Sequence, residues 1–508
     1  MDFTLLIDGY TAQNRHRGWP RQRLLHECLR DAIRSGTLAA GTRLAASRVL
    51  AEELGLARNT VLYAYEQLAS EGYVTTDRRG TVVAALAPDR KPADGPAEAA
   101  TAGGHTSKPP QAGLSQRARA LRPLPGPAEM MGAFVPGVPA LEHFPLTLWR
   151  RMLERALRGM TVAQLNYGDP AGEPLLREAV ADHLRAARGV VCDAAQVFIT
   201  DGTQSSLAVC VQAFADQGDT IWIENPGYGG ALAASRAGGL NVAGIDVDDD
   251  GIAPRPDDWL LRPPRLIYTT PSHQYPTGSV LSLRRRLALI EAARGTGSLI
   301  IEDDYDSEFR HDGPPLPAMQ GLAPDAPVIY LGTFSKTMFP SLRIGFVVVP
   351  PWLAESFAQM RAQSSARGRV AEQLALAEFL RSGQFALHLR RMRRLYRQRR
   401  DALVAALERH LGSVAKVHGG SAGMHLALRF DDVAIDDVAV AAQALEHGIV
   451  VNALSRHDTQ GESGWKGLML GYAQVPAERM EGLVKQLAAI VHLAAYAANR
   501  SNPKRRAA

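Results

Sequence analysis

At 508 residues the chain exceeds what one ordinary hydrophobic core holds, so two or three domains are expected. Hydrophobic residues at 46% and charged residues at 21% exclude a disordered or fibrous chain, and a net charge of +5 permits nucleic-acid binding without arguing for it. Three widely spaced cysteines, Cys28, Cys192 and Cys210, offer neither a disulfide framework nor zinc-ligand spacing, so no metal is expected.

The opening "MDFTLLIDGY" lacks the cationic flank, apolar run and cleavage site of a leader, and no run of about 18 apolar residues occurs, so a cytoplasmic protein without a membrane partner is expected. "RQRLLHECLRDAIRSG" carries Leu24, Leu25, Cys28, Leu29 and Ile33 at helical spacing and stops at Gly36. "SRVLAEELG" and "ARNTVLYAYEQLASEG" read as two more helices, and "YVTTDRRGTVVAAL" as two strands joined by a tight turn. Helix, helix, helix, hairpin is the order of a winged helix-turn-helix.

Such a module reads DNA when its third helix presents polar side chains to the major groove. Arg58, Asn59 and Thr60 stand at that helix start, while Val61, Leu62 and Leu68 are placed to pack inward. Arginine and asparagine match guanine and adenine edges, and Arg48, Arg78 and Arg79 are placed for phosphates. Charge does not decide the matter, because residues 1–87 hold 11 basic against 9 acidic side chains, and the same pattern suits a protein-contact module. The stretch from "LRDAIRSGTLAAGTRL" through "RNTVLYAYEQLASEGYV" resembles the GntR-type winged helix, which implies an operator in double-stranded DNA. Two departures stand out: Ala57 removes a side-chain cap before "RNTV", and alanine replaces the family's proline within "LAASR".

Residues 88–117 lose apolar periodicity and are rich in alanine, proline and glycine, so a flexible linker is expected between a module at 1–87 and a body at 118–508. In the body, "QVFIT", "DTIWIE", "RLIYTT", "SLIIED", "VIYLGTF" and "RIGFVVVP" alternate with helix-length segments, which predicts a mostly parallel, helix-covered sheet at about 160–360. "MHLALRF", "GIVVNAL" and "GLMLGYA" predict a smaller α+β domain at about 370–495. The Arg-rich segment at 390–400 is expected to be a solvated helix face, and Lys504, Arg505 and Arg506 a loose tail.

Within the body, "GTFSKTMFPSLRIGF" sets Lys336 between two apolar strands, where an amine is costly unless paired or covalently used. A lysine that condenses with pyridoxal phosphate requires an acid for the pyridine nitrogen, a donor to the ring oxygen, an aromatic platform and a phosphate cradle. "SLIIEDDYDSEF" supplies Asp303 and Tyr305; "WIENPGYGG" supplies Tyr228; "QVFITDGTQSS" supplies Gly202, Thr203 and Gln204 at a helix start; Thr333 and Arg343 flank the lysine.

Together with "TPSHQYPTG", this constellation over residues 130–490 resembles fold-type I pyridoxal-phosphate enzymes of the aspartate-aminotransferase superfamily. The full chain resembles the MocR/GabR-type bacterial regulators: a winged helix joined to an α/β aminotransferase-like body with a small α+β C-terminal domain. The resemblance implies Lys336 as the Schiff-base lysine, Asp303 as the pyridine-nitrogen partner, Tyr305 as the ring-oxygen donor and Tyr228 as the stacking ring. It also implies a head-to-tail homodimer in which Tyr167 reaches the partner's phosphate, and a small amine or amino-acid effector. Tyr275 stands where ordinary aminotransferases carry asparagine. Arg456, with Lys466 second, is the expected carboxylate-binding residue. The alternatives are an active aminotransferase with an appended DNA-binding module and a cofactor-free DNA-binding scaffold.

Overall fold

The computed structural model describes residues 2–12, 18–78, 80–85, 113–119, 131–313, 316–323, 325–364, 368–461 and 463–501. Arg79, most of the expected linker and the basic tail at 504–506 lie outside them. The chain divides into two compact units, residues 1–111 and 112–508.

The first unit contains helices α1 (Phe3–Ala12), α2 (Arg21–Arg34), α3 (Ser47–Glu53) and α4 (Arg58–Ser70), then the hairpin of β1 (Val74–Asp77) and β2 (Gly80–Val83). The buried stripe of α2 is Leu25, Cys28, Leu29 and Ile33, while α4 buries Val61, Ala64, Tyr65 and Leu68. Leu62, expected inward, is only half-buried, because Ala64 and Tyr65 take the core-facing positions. Tyr65 Oη donates to the Ala45 carbonyl at 2.8 Å and ties α4 to the turn before α3. Leu29, Leu50 and Leu68 are wholly buried, each contributing about 1.5–3 kcal/mol over an exposed position. Helix α1 went unanticipated because Phe3 is its one buried residue; Phe3 N donates to Glu53 Oε1 at 3.0 Å.

The second unit is built on an eight-stranded sheet. In chain order its strands are β3 (Val197–Thr200), β4 (Thr220–Asn225), β5 (Asn241–Asp248), β6 (Gly251–Ile252), β7 (Leu266–Thr269), β8 (Leu299–Asp304), β9 (Val328–Thr333) and β10 (Gly345–Val348), arranged β3-β10-β9-β8-β7-β4-β5-β6. The pairs from β9 through β5 are parallel, as expected. Strand β10 runs antiparallel to both neighbours, because only an 11-residue loop joins it to β9 and no crossover helix intervenes. That return loop carries Lys336 and Arg343 at the same sheet end as the C-termini of β7 and β8.

A second, antiparallel sheet contains β11 (Ala415–His418), β12 (His425–Phe430), β13 (Asn452–Ala453) and β14 (Gly467–Gly471), in the order β11-β12-β14-β13. The long helix Gln384–Leu411 packs against helix Ala477–Ser501 beside it. Its arginines divide as their positions dictate: Arg393 and Arg397 donate to the carbonyls of Glu308 and His311, and Arg399 to that of Ala473, whereas Arg390, Arg391 and Arg394 are exposed. Among the described residues no helix is long and apolar enough to cross a membrane.

Candidate functional site

One pocket lies where β4, β7, β8 and the β9–β10 loop end, and Gly137, Thr203, Tyr228, Tyr268, Tyr275, Asp303, Tyr305, Asp306, Lys336 and His425 line it. Lys336 Nζ donates to the Gly137 carbonyl at 2.8 Å. Burial holds the lysine's pKa below its ordinary value, opposed first by the charge of Asp306 and then by Asp303. The amine is thereby kept closer to its nucleophilic, uncharged form.

Asp303 ends β8 with one oxygen engaged and the other not. Tyr268 Oη donates to Oδ2 at 2.7 Å, while Oδ1 is buried without a partner. Burial pushes its carboxyl up to about 7, against the lowering effect of the Tyr268 bond. Ionising Asp303 therefore costs the ligand-free fold nothing well below the usual aspartate range near 4; the cost grows as pH rises and is complete above about 7. We expect ligand-free Asp303→Asn, whose amide oxygen still accepts from Tyr268, to unfold at a higher temperature than wild type at pH 8, by up to about 4 kcal/mol of stability. At pH 5 the advantage shrinks; an advantage equal at both pH values contradicts this account.

The phosphate-cradle residues gather at one corner. Gly202, with φ of 89°, precedes helix Thr203–Phe214, and a Cβ there would lie 3.5 Å from the Arg343 guanidinium carbon. Arg343 itself holds the left-handed conformation, φ 51°, which non-glycine residues adopt infrequently and often at functional sites. Thr333 is buried, and its Oγ1 accepts from Ser335 N at 3.2 Å. Gln204 spends its Nε2 on the Gly230 carbonyl at 3.1 Å, so it props the Tyr228 turn. A Cβ at Gly230 would come within 2.4 Å of the Tyr228 ring, which is why that turn needs glycine.

Tyr228 and Tyr275 meet edge to face, 5.3 Å apart at 80°. Beneath them Glu224, wholly buried at the end of β4, accepts from the hydroxyls of Thr269 at 2.6 Å and Thr270 at 2.8 Å. Thr270 Oγ1 accepts in turn from Tyr275 N at 3.0 Å, so the acid positions the tyrosine through one threonine. Tyr305 Oη donates to the His273 carbonyl at 2.9 Å, so in this structure its proton is committed within the chain. His273 Nδ1 lies 3.1 Å from Asp306 Oδ2, and a Cβ at Gly423, φ 80°, would fall 2.2 Å from that ring.

Asp306, His273, His425, Tyr268 and Glu224 were not singled out from sequence. Asp306 stood in plain view in "DDYDSEF", and His273 preceded "QYPTG"; the others lie on strands whose apolar pattern concealed them. Arg456 is exposed in the turn Leu454–His457 and is not among the residues that line the pocket. Lys466 is likewise committed, 3.8 Å from buried Asp437. The small-domain loop instead brings His457, whose ring packs 5.2 Å from Tyr275. Gly227 N donates to the His457 carbonyl and Thr459 N to Asn225 Oδ1, both at 2.9 Å, closing that loop onto the Tyr228 turn. Tyr167 is 89% exposed, apart from the pocket.

In the first unit Arg48, Arg58, Asn59 and Arg78 are exposed and Thr60 is half-buried. Ala57 provides no side-chain cap to α4, as expected. The model of bacterial regulatory proteins of the gntR family matches residues 22–83, and that of aminotransferase class I and II matches residues 138–487. A probable rhizopine catabolism regulatory protein, MocR of Rhizobium meliloti, is 40% identical over 91% of this chain and 92% of its own. The chain belongs to the MocR-type regulators. It is a regulator with an aminotransferase-like domain. The pyridoxine biosynthesis transcriptional regulator PdxR of Corynebacterium glutamicum, 30% identical over 96% of this chain and all of its own, has the same span. The solved structure of LysN, an α-aminoadipate aminotransferase from Thermus thermophilus bound to N-(5'-phosphopyridoxyl)-L-leucine, covers 75% of this MocR-type chain and 96% of its own, at 27% identity and a TM-score of 0.66. The family implies pyridoxal phosphate, and the residues present fit it: a half-buried amine, an orphaned carboxylate oxygen in the same pocket, and a guanidinium at a helix start.

Proposed function

We propose that this chain is a cytoplasmic, homodimeric, DNA-binding transcription regulator that holds pyridoxal 5'-phosphate on Lys336 and responds there to an amine or amino-acid effector. The observation that carries the reading is the unpartnered Asp303 Oδ1 in one pocket with a half-buried lysine. When bound, pyridoxal phosphate supplies an aldehyde that condenses with amines and a ring that draws electrons. Lys336 would offer its amine to that aldehyde. Asp303, with Oδ1 unpartnered, would pair with the ring nitrogen and favour its protonated form. Amide N–H groups at Gly202 and Thr203, with Arg343 and Thr333, would bind the phosphate. Tyr228 would pack against the ring, with Tyr275 holding Tyr228 in place, and Tyr305 would serve the ring oxygen.

Exposed Tyr167 is assigned to the partner's phosphate in a head-to-tail dimer. An amine effector that took the place of Lys336 on the cofactor would shift the chain between two states only to the extent that its affinity for them differs. At the other end Arg58 and Asn59 read base edges, while Arg48, Arg78 and Arg79 hold phosphates. Binding to the DNA upstream of the chain's own gene tests this. Arg58→Ala is expected to weaken binding to that operator by about 1–3 kcal/mol and to unrelated DNA far less. Equal losses on both remove Arg58 from base reading.

A further inference from the structure

Beside the phosphate corner stands a segment that supplies none of its residues. The corner itself has two halves: Asp201 and Gly202 lead into helix Thr203–Phe214, and Arg343 closes the β9–β10 loop. They pack backbone to backbone, since a Cβ at Gly345 would fall 2.9 Å from Gly202 Cα. The neighbouring segment is the start of helix Val370–Arg381, where Arg369 stands. Arg369 Nη1 donates to the carbonyls of Leu342 and Arg343, both at 3.0 Å, and its Nε lies 3.5 Å from Asp201 Oδ1. One guanidinium therefore holds both halves.

The two carbonyl bonds also constrain shape. Successive residues of an extended chain face opposite ways, so one nitrogen reaches two successive carbonyls only where the backbone curls. Arg343 curls in this way, at a left-handed φ of 51° that a residue with a side chain seldom holds without support. Arg369, with φ of 56°, is anchored in turn: Gln373 N donates to its carbonyl at 2.9 Å, and Gln373 Nε2 to the Gly368 carbonyl at 2.8 Å. The ion pair with Asp201 contributes less, because the two side chains are 41% and 56% exposed.

The geometry points to Arg369 as a positioning residue that pre-forms the phosphate cradle by fixing the turn at Arg343. This rests on the reading that the chain holds pyridoxal phosphate on Lys336. Without Arg369 the turn relaxes, and an arriving phosphate has to rebuild it at the expense of affinity. Pyridoxal, which lacks the phosphate, uses Lys336, Asp303 and Tyr228 but not the cradle, so its binding is indifferent to Arg369.

Pyridoxal phosphate and pyridoxal are each titrated into full-length wild type, Arg369→Ala and Arg369→Lys, and the growth of the visible band gives both affinities independently of turnover. Arg369→Ala is expected to lose about ten-fold in affinity for pyridoxal phosphate, the scale of one hydrogen bond from a charged group, and less than about two-fold for pyridoxal. Arg369→Lys keeps a charged donor without the fork and is expected to fall between Arg369→Ala and wild type; it carries the test should Arg369→Ala not fold. A ratio of the two affinities equal to that of wild type in both variants overturns the proposal. A joint fall of both affinities is one such result, and makes Arg369 a support of the fold alone. A wild type that binds pyridoxal phosphate no tighter than pyridoxal overturns it as well, because there is then no cradle to position. A wild type that gains no visible band with either ligand removes the Lys336 reading itself, whereas a band with an unchanged ratio strikes only the role of Arg369.

Discussion

Lys336→Ala is expected to abolish, not merely weaken, the visible absorption band that wild type gains with pyridoxal phosphate in the absence of added amines. The amine lies in a pocket beside Asp303 and Asp306, and burial keeps it from full charge. A covalent bond to the aldehyde is a use for such an amine that electrostatics alone does not supply. Removing it leaves Asp303, Arg343 and the Tyr228 ring in place, so Lys336→Ala still binds the cofactor, without the band. A band of wild-type intensity in the variant places the condensation on another residue.

Asp303→Ala carries the second large effect. The carboxylate is wholly buried, donates nothing, and has one oxygen already taken by Tyr268 and one oxygen free. Burial raises its pKa to about 7, a penalty that a protonated ring nitrogen would offset by pairing. Removing one member of a buried ion pair costs about 3–5 kcal/mol, so cofactor affinity in Asp303→Ala should fall by about two to four powers of ten. Equilibrium dialysis of pyridoxal phosphate against both proteins measures this. A loss below about three-fold means Asp303 does not face the ring nitrogen. Together with the rising advantage of Asp303→Asn from pH 5 to pH 8 without ligand, it separates the two costs: burial of the charge alone, and loss of its partner.

The Lys336, Asp303 and Tyr228 constellation was legible because each residue follows an apolar strand, where a change to charge or aromatic breaks the pattern visibly. The helix order of the first unit was legible for the same reason, through the stripes of α2 and α4. What escaped was long-range in sequence. Nothing near His425 announces that its ring meets His273, 152 positions earlier in the chain, at 4.5 Å. Nor does "WIENPGYGG" disclose that Glu224, not only Tyr228, serves the pocket by holding Thr270 under Tyr275. Nor does "NALSRHDT" disclose that the Arg456 loop docks through His457 and Thr459 on Gly227 and Asn225. Strand direction was half legible; the apolar run of β10 reads as a strand, and its antiparallel sense follows from the short return loop that carries Lys336.

Under the proposed function, occupancy of Lys336 controls how the first unit meets DNA. Footprinting of the DNA upstream of the chain's own gene, with wild type and Lys336→Ala, each with and without pyridoxal phosphate, tests it most directly. Wild type should protect a defined site whose extent or affinity changes on adding pyridoxal phosphate, and Lys336→Ala should give one pattern in both conditions. A wild-type footprint identical with and without the cofactor, at concentrations where the visible band is saturated, contradicts it.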